Sequence, residues 1–397
     1  MAMSTTTSPC TVAVGVSGGV DSLCALVMLQ QAGHNVLALH GLFLPEAELA
    51  PPPGLEEACA SLGIPLHTAD LRPVFQREVL APFAAAYAEG RTPNPCALCN
   101  RAVKFGALLD AAQELGAHKL ATGHYARLVS APEEEGVAQE NTAARPYDAD
   151  ALHLPLLAAA HDTAKDQSYF LSLVPRARLA QACFPLAGQD KTRTREIVAQ
   201  AGLNVPLPHE SQDICFAPAS GASAAQDSAS GSPAEAYRPF LERHWQAAAI
   251  VPPGPGPVFL RNADGAQREI ARHKGLWRYT EGQRKGLGIA HSEPLYVLAK
   301  DGSANALVVG PRALLGVSRC ITALANVSLT PQYWPEETLV RLRHRQKPAP
   351  ARVNLNADGR LEIEFATPQF PSAPGQVAAV YDVSGRVLAA GIVEFME

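Results

Sequence analysis

The sequence predicts an α/β N-terminal domain built on a parallel sheet, then a small central domain, then a C-terminal antiparallel β-barrel. Three observations carry that prediction. Short apolar runs alternate with helical stretches through the first third of the chain, the pattern of a parallel sheet covered on both faces. After about residue 285 the texture changes to short alternating segments separated by Gly, Pro and Asp, the signature of a small antiparallel barrel or sandwich. Between the two lies a stretch at 217–236 rich in Ala, Ser and Gly, which reads as a flexible insertion. The expected division is residues 1–207, 208–290 and 291–397.

The elements follow in order. Thr11 to Val16 is a β-branched run that leads through a glycine turn into an apolar helix over Ser22 to Leu29, stopped at Gly33. Asn35 to Leu39 reads as a second strand, Leu55 to Leu62 as a helix, Leu66 to Thr68 as a strand, Leu108 to Leu115 as a helix and Lys119 to Thr122 as a strand end. Residues 130–150, with Glu133, Glu134, Glu135 and few apolar positions, read as an inserted surface loop. The barrel candidates are Leu295 to Leu298, Ala306 to Val309, Leu339 to Arg343, Leu361 to Phe365, Val377 to Tyr381 and Arg386 to Leu388.

A chain of 397 residues, 47% hydrophobic and 18% charged, can bury a core in each of these units and is not a disordered sequence. Met1 to Cys10 carries no Lys or Arg and no apolar stretch, and no run is long enough to span a bilayer; a cytoplasmic protein with no membrane partner is expected. The net charge of −5 gives no bulk attraction for nucleic acid, so a polyanion would have to meet local basic patches.

Gly15-Val16-Ser17-Gly18-Gly19-Val20-Asp21-Ser22 lies between a strand and a helix. Glycines allow a tight turn and a close backbone approach, so that loop and helix-start N–H groups face a phosphate. Ser17 and Ser22 add hydroxyls, and Asp21 is placed to hold a Mg²⁺ that bridges phosphates. Asp21 stands where a Walker loop has Lys, and the glycine spacing differs from the dinucleotide fingerprint. Ala121 to Arg127, with Gly123 at a strand end, offers a second nucleotide contact.

The eight cysteines are too sparse for a secreted disulfide framework. Cys10, Cys24, Cys59, Cys183 and Cys320 read as core or incidental thiols. Cys96 and Cys99 sit in Asn94-Pro95-Cys96-Ala97-Leu98-Cys99-Asn100-Arg101, at a helix start with Arg101 and Lys104 nearby, where a thiol pKa should fall. Cys215 lies far along the chain. A metal or redox pair, inert buried thiols and sulfur transfer all compete here. A structural zinc lacks a second ligand pair in the sequence. With a phosphate loop in the same domain, sulfur transfer fits best.

Taken together, these motifs resemble the bacterial tRNA-specific 2-thiouridylases of the PP-loop ATP pyrophosphatase superfamily. The similarity rests on Gly15 to Ser22, Gly90 to Pro95, Cys99-Asn100, Lys104-Phe105, Ala121 to Arg127, Lys165 to Leu171, Ile214 to Phe216, Gly282 to Ile289, Glu293 to Val297 and Pro374 to Gln376. The resemblance implies a Rossmann-like first domain that binds ATP through Gly15 to Ser22, Gly41 and Gly123. It implies that Cys215 carries a persulfide from a cysteine desulfurase or sulfur-relay protein, with Cys99 as partner nucleophile, and that a Cys99–Cys215 disulfide forms in turnover. Asn94, Pro95 and Cys96 would line the target-base pocket, and Lys165, Asp166, Gln167, Arg343 and His344 would touch tRNA. The implied reaction is ATP-dependent 2-thiolation of the wobble uridine, position 34, with release of AMP and pyrophosphate. Cys96 replaces an Asp common in relatives, so Cys96, Cys99 and Cys215 holding a [4Fe-4S] cluster is the alternative. His344 replaces a more usual Tyr, and the stretch after Leu39 is shorter and less polar than in relatives.

Two local runs are basic. From Arg268 to Lys285 there are six Lys or Arg against Glu269 and Glu281, and Arg341 to Lys347 holds four with no acid. Trp277, Tyr279 and His344 are interleaved and could stack on bases, while a solvated basic face is the commoner explanation of such a charge run. Outside this reading stand another adenylating ligase, which would not need Cys99 and Cys215, and a sulfur-carrier or tRNA-binding module that catalyses nothing.

Overall fold

Val12, Ala13 and Val14 are buried in strand β1 (Thr11–Gly15), which has neighbours on both sides and therefore tolerates no polar side chain at its centre. The computed structural model describes residues 10–44, 51–130, 153–205, 214–216 and 237–397. β1 pairs in parallel with β2 (Asn35–Leu42) on one side and with β4 (Lys119–Ala121) on the other. β3 (Leu66–Asp70) and β7 (Ala182–Cys183) complete the five-stranded parallel order β3-β2-β1-β4-β7. A separate hairpin joins β5 (Arg127–Val129) to β6 (Leu156–Ala158). The expected insertions at 130–150 and 217–236 fall almost wholly outside the described residues.

The chain leaves β3 at one edge and returns as β4 on the far side of β1. The carboxyl ends of β1 and β4 therefore face the place where the strand order reverses, where open α/β sheets bind ligands. Helix Val20–Gln31 starts directly after β1 and buries Leu23, Leu26 and Val27 against the sheet. The crossover from β3 to β4 is two long helical stretches. Arg72–Phe75 runs through a wide turn, Gln76–Leu80, into Ala81–Ala88; Pro95–Cys99 widens through Asn100–Leu108 and continues as Leu109–Glu114. Such widened turns recur at functional sites.

The central sheet has the order β10-β11-β8-β9, from β8 (Gly256–Arg261), β9 (Gln267–His273), β10 (Tyr296–Asp301) and β11 (Ala306–Gly310). The sequence placed β10 and β11 with the barrel. In the structure β11 instead lies parallel to β8, so that Leu307 and Val309 share a core with Val258, Leu260, Leu276 and Val297. Alternation shows that a segment is a strand; only its long-range partner shows which sheet it joins.

Six strands close the C-terminal barrel. β12 (Val317–Leu324) pairs with β18 (Val387–Met396) to seal a ring that also contains β14 (Thr338–Arg341), β15 (Ala349–Leu355), β16 (Arg360–Gln369) and β17 (Val377–Tyr381). The short β13 (Asn326–Val327) adds to β18 outside the ring. A Cβ at Gly391 would lie 2.4 Å from Thr322 Oγ1, so β18 can close on β12 only without a side chain there.

Both downstream domains grip the segment that leads to Cys96. The Thr92 and Asn94 amides donate to the Pro374 and Gly375 carbonyls at 2.8 and 3.2 Å, and Gln376 Nε2 donates to the Thr92 and Pro93 carbonyls at 2.9 and 3.0 Å. Lys300 Nζ reaches Thr92 Oγ1 at 3.1 Å and the Tyr279 carbonyl at 2.9 Å, with Glu281 beside it at 3.5 Å in a buried pair.

Candidate active site

The glycine turn sits where the topology puts a ligand. Gly18 has φ +80°, a backbone that side-chain-bearing residues rarely adopt. Gly19 precedes helix Val20–Gln31 and contributes no capping side chain, which leaves the helix start to backbone and ligand. Ser22 Oγ donates to the Gly19 carbonyl at 2.9 Å and the Ser17 amide donates to Ser22 Oγ at 3.3 Å, fixing the loop from within. The segment after β4 comes up against it. A Cβ at Gly123 would lie 2.8 Å from the Asp21 carbonyl carbon and 2.9 Å from the Ser22 amide, so only glycine allows the two backbones to meet. These features fit a nucleotide phosphate.

Asp21 is engaged already. Lys191 Nζ lies 2.8 and 2.9 Å from its two carboxylate oxygens, and the Tyr125 hydroxyl donates to Oδ1 at 3.0 Å. The carboxylate expected to hold Mg²⁺ thus has a lysine partner. Gly41 is interior to β2, and the space its Cβ would fill holds the Phe43 ring at 2.8 Å and Leu71 at 3.2 Å. Packing alone accounts for glycine at that position.

Asn94 caps the next helix, its Oδ1 accepting from the Ala97 amide at 3.1 Å. That fixes Cys96 in the first turn and Cys99 in the last turn of Pro95–Cys99. Cys96 and Cys215 are exposed residues and Cys99 is buried. Cys215 is anchored by its neighbour: Phe216 packs edge-on to Phe83 at 5.0 Å and against Phe240 at 5.0 Å, within the same core cluster as Cys99. The three thiols share one electrostatic neighbourhood with Lys104.

The expected fall in thiol pKa is not found. Burial raises Cys99 to about 12, and desolvation around the Cys96 and Cys215 sulfurs raises them too although both residues keep exposed surface. The pull of Lys104 only partly offsets it. Desolvating a thiolate outweighs one nearby cation. The other cysteines behave as small core thiols: burial raises Cys24 and Cys59 to about 11 and Cys320 to about 12.

Lys104 links the two halves of the site. Its Nζ lies 3.5 Å from His124 Nε2, and His124 Nδ1 lies 2.8 Å from Thr122 Oγ1, both residues flanking Gly123. Burial, then Lys104, lowers the His124 pKa well below its usual range, so the ring is neutral. An ammonium has no acceptor capacity, so Nε2 accepts and Nδ1 carries the proton toward Thr122.

The expected RNA contacts divide. Asp166 is 2% exposed and accepts from the Ala160 and Ser168 amides, from Ser168 Oγ and from Arg341 Nη1 at 2.7 Å. It has no lone pair to spare for tRNA and instead ties the first domain to the barrel. Gln167 Oε1 accepts from the Tyr125 amide at 2.9 Å. Arg343 is half-buried, donating to the Glu281 carbonyl at 3.1 Å and lying over the Phe370 ring. His344 stacks on Phe170 with ring centres 4.4 Å apart. Trp277 and Tyr279 are buried, so they cannot stack on bases. Trp277 packs on Trp245 and carries Arg278 on its face. Within the two basic runs the residues left exposed are Arg268, Arg272, Lys274, Arg284, Lys285, Arg345 and Lys347.

Sequence reasoning missed Lys191, Thr194 and the role of His124. Lys191 follows the helix cap Asp190 with no motif around it, and only the tertiary packing of its helix against Val20–Gln31 shows its partner.

The comparisons agree along the whole chain. The family described as tRNA methyl transferase HUP domain matches residues 10–219. The tRNA methyl transferase PRC-barrel domain matches 248–311 and the aminomethyltransferase beta-barrel domain matches 320–393. A tRNA-specific 2-thiouridylase MnmA of Oleidesulfovibrio alaskensis is 47% identical over 389 residues, covering 96% of this chain and 98% of that protein. Proteins of the same name are 45% identical in Nitratidesulfovibrio vulgaris (96% and 98% covered) and 38% identical in a Synechococcus strain (97% and 98% covered). With its three domains matched in order and its relatives aligned over nearly their full length, the chain belongs to the tRNA-specific 2-thiouridylase family.

Proposed function

We propose that this chain catalyses ATP-dependent 2-thiolation of a tRNA uridine, at the wobble position 34. The observation that carries the reading is the common neighbourhood of Cys96, Cys99, Cys215 and Lys104, joined through His124 to the Gly123–Asp21 contact at the phosphate loop.

A carbonyl oxygen at C2 of uracil is a poor leaving group. Its attack on the α-phosphorus of ATP forms an O–P bond, and pyrophosphate departs with the electrons of the broken Pα–O bond. C2 then carries AMP as leaving group. The terminal sulfur of a Cys215 persulfide, supplied by a cysteine desulfurase or relay protein, becomes the thiocarbonyl sulfur. It attacks C2, and AMP leaves with the electron pair of the C2–O bond. The Cys99 thiolate then attacks Cys215 Sγ, and the persulfide S–S bond breaks with its pair on the sulfur that stays on C2. A Cys99–Cys215 disulfide is left for a cellular reductant to reopen. Lys104 is the cation placed to favour thiolate once a base and nucleotide fill the site. A wobble base in an anticodon loop unstacks at low cost, which suits a pocket at Asn94, Pro95 and Cys96.

Among the described residues no group of three or more His, Cys, Asp or Glu is arranged to hold a metal ion. In this arrangement the three thiols do not fit a cluster. A Mg²⁺ on the nucleotide would bring phosphate ligands with it and needs no site beyond Asp21. Among the described residues no helix is long and apolar enough to cross a membrane.

The test is anaerobic turnover with ATP, unmodified tRNA and a persulfide donor. Thiouridine and AMP should appear together in the wild type, and both C99S and C215S should form no thiouridine. Full thiolation by either variant would return the chain to the wider class of adenylating ligases.

A further inference from the structure

The phosphate loop has no cation of its own. From Cys10 to His34 the chain contains neither Lys nor Arg. Loop and helix-start amides offer a fraction of a positive charge, whereas a bound triphosphate carries several negative ones. A Walker loop meets that need with a lysine inside the loop.

Here an ammonium reaches the loop from a helix far along the chain. Lys191 opens helix Lys191–Gln200, and its Nζ is 2.8 and 2.9 Å from the Asp21 carboxylate oxygens. Its placement is built. Asp190 caps the helix through the Arg193 amide at 2.7 Å, and Thr194 Oγ1 donates to the Asp190 carbonyl at 2.9 Å. Thr194 also meets the Tyr125 hydroxyl at 3.0 Å, which itself donates to Asp21. The Lys191 side chain is only 13% exposed.

We propose that Lys191 is the phosphate-binding lysine of this site, held on Asp21 until a nucleotide's β- and γ-phosphates take its charge. The inference rests on the nucleotide reading of the loop. As the O–Pα bond forms and the Pα–O bond to the β-phosphate breaks, the bond pair leaves on pyrophosphate, and Lys191 neutralises that charge. Release from Lys191 also exposes the Asp21 carboxylate at the moment the phosphates arrive. A purely structural ion pair makes the opposite forecast, because it treats the two partners alike: removing either would do the same harm.

Binding of inorganic pyrophosphate, measured by calorimetry without Mg²⁺, separates the two. K191M should weaken it by about 10- to 100-fold, the loss of a charge-assisted contact, and K191R should recover part of it. D21N should bind pyrophosphate at least as tightly as wild type, since the Asp21 carboxylate no longer competes for the ammonium. Melting curves of each variant identify any that fail to fold. Unchanged binding in K191M, or equal losses in K191M and D21N, would overturn the lysine's role. A wild type that releases no AMP with tRNA would remove the nucleotide reading beneath it, a separate result.

Discussion

At the scale of single residues, reactivity is governed by burial rather than by neighbouring charge. With its pKa near 12, Cys99 should be roughly one part in ten thousand thiolate at pH 8, against about a quarter for a free thiol. Alkylation of Cys99 in the resting protein should therefore be slow and rise with pH well beyond 9. The sign follows from the raised pKa, which keeps the proton on until higher pH. Mass mapping of iodoacetamide adducts between pH 7 and 10 checks it; rapid labelling at pH 7 would contradict it. Gly123→Ala forces a Cβ onto the backbone at Asp21 and Ser22, which should cost about 1–3 kcal/mol of stability and abolish ATP binding, as read by melting and calorimetry. Sequence reading found the cations near Cys99 because they are close in the chain. It had no access to desolvation, which comes from a core cluster that also gathers Phe83 and Phe216 from elsewhere in the chain. For the same reason the Asp21–Lys191 pair was invisible.

Among the elements, those made of local pattern were legible and those made by partnership were not. β1, the glycine turn and the helix after it were readable because apolar run, turn and apolar helix are contiguous. The helical stretch 72–88 escaped, and 95–114 was read only in part, as a helix start at Cys96 and a helix over Leu108 to Leu115. The wide turns at Gln76–Leu80 and Asn100–Leu108 blur the helical period. Asp166 reads as part of a polar helix start, yet it is a buried tie to Arg341 on β14. Asp166→Ala should destabilise the protein by roughly 3–5 kcal/mol, because it strands a half-desolvated guanidinium. Adding Arg341→Met should recover part of that loss. Denaturant melts in a double-mutant cycle measure the coupling, and additive losses would show that the pair is not a unit.

For the whole molecule, three domains converge on one short segment. Thr92 to Asn94 is bonded to the barrel at Pro374 to Gln376 and to the central domain through Lys300, so contacts made by either domain bear on the position of Cys96 and Cys99. The domain order was legible in the sequence, whereas the assignment of β10 and β11 required their pairing with β8. The basic runs were visible too, but Trp277 and Tyr279 within them are buried, leaving charge as what these runs offer a polyanion. Substituting Arg268 and Arg272 on the edge strand β9 by Ala should weaken tRNA binding. It should also lower the slope of log affinity against log salt by roughly 1 per side chain; an unchanged slope would place tRNA elsewhere. The central claim, that two thiols remote in sequence act together beside a nucleotide, is tested most directly by one single-turnover experiment. Protein persulfidated at Cys215 is mixed with ATP and tRNA without reductant, and peptides and nucleosides are quantified together. A Cys99–Cys215 disulfide should appear in equal amount to 2-thiouridine; thiouridine formed with both cysteines still free would contradict it.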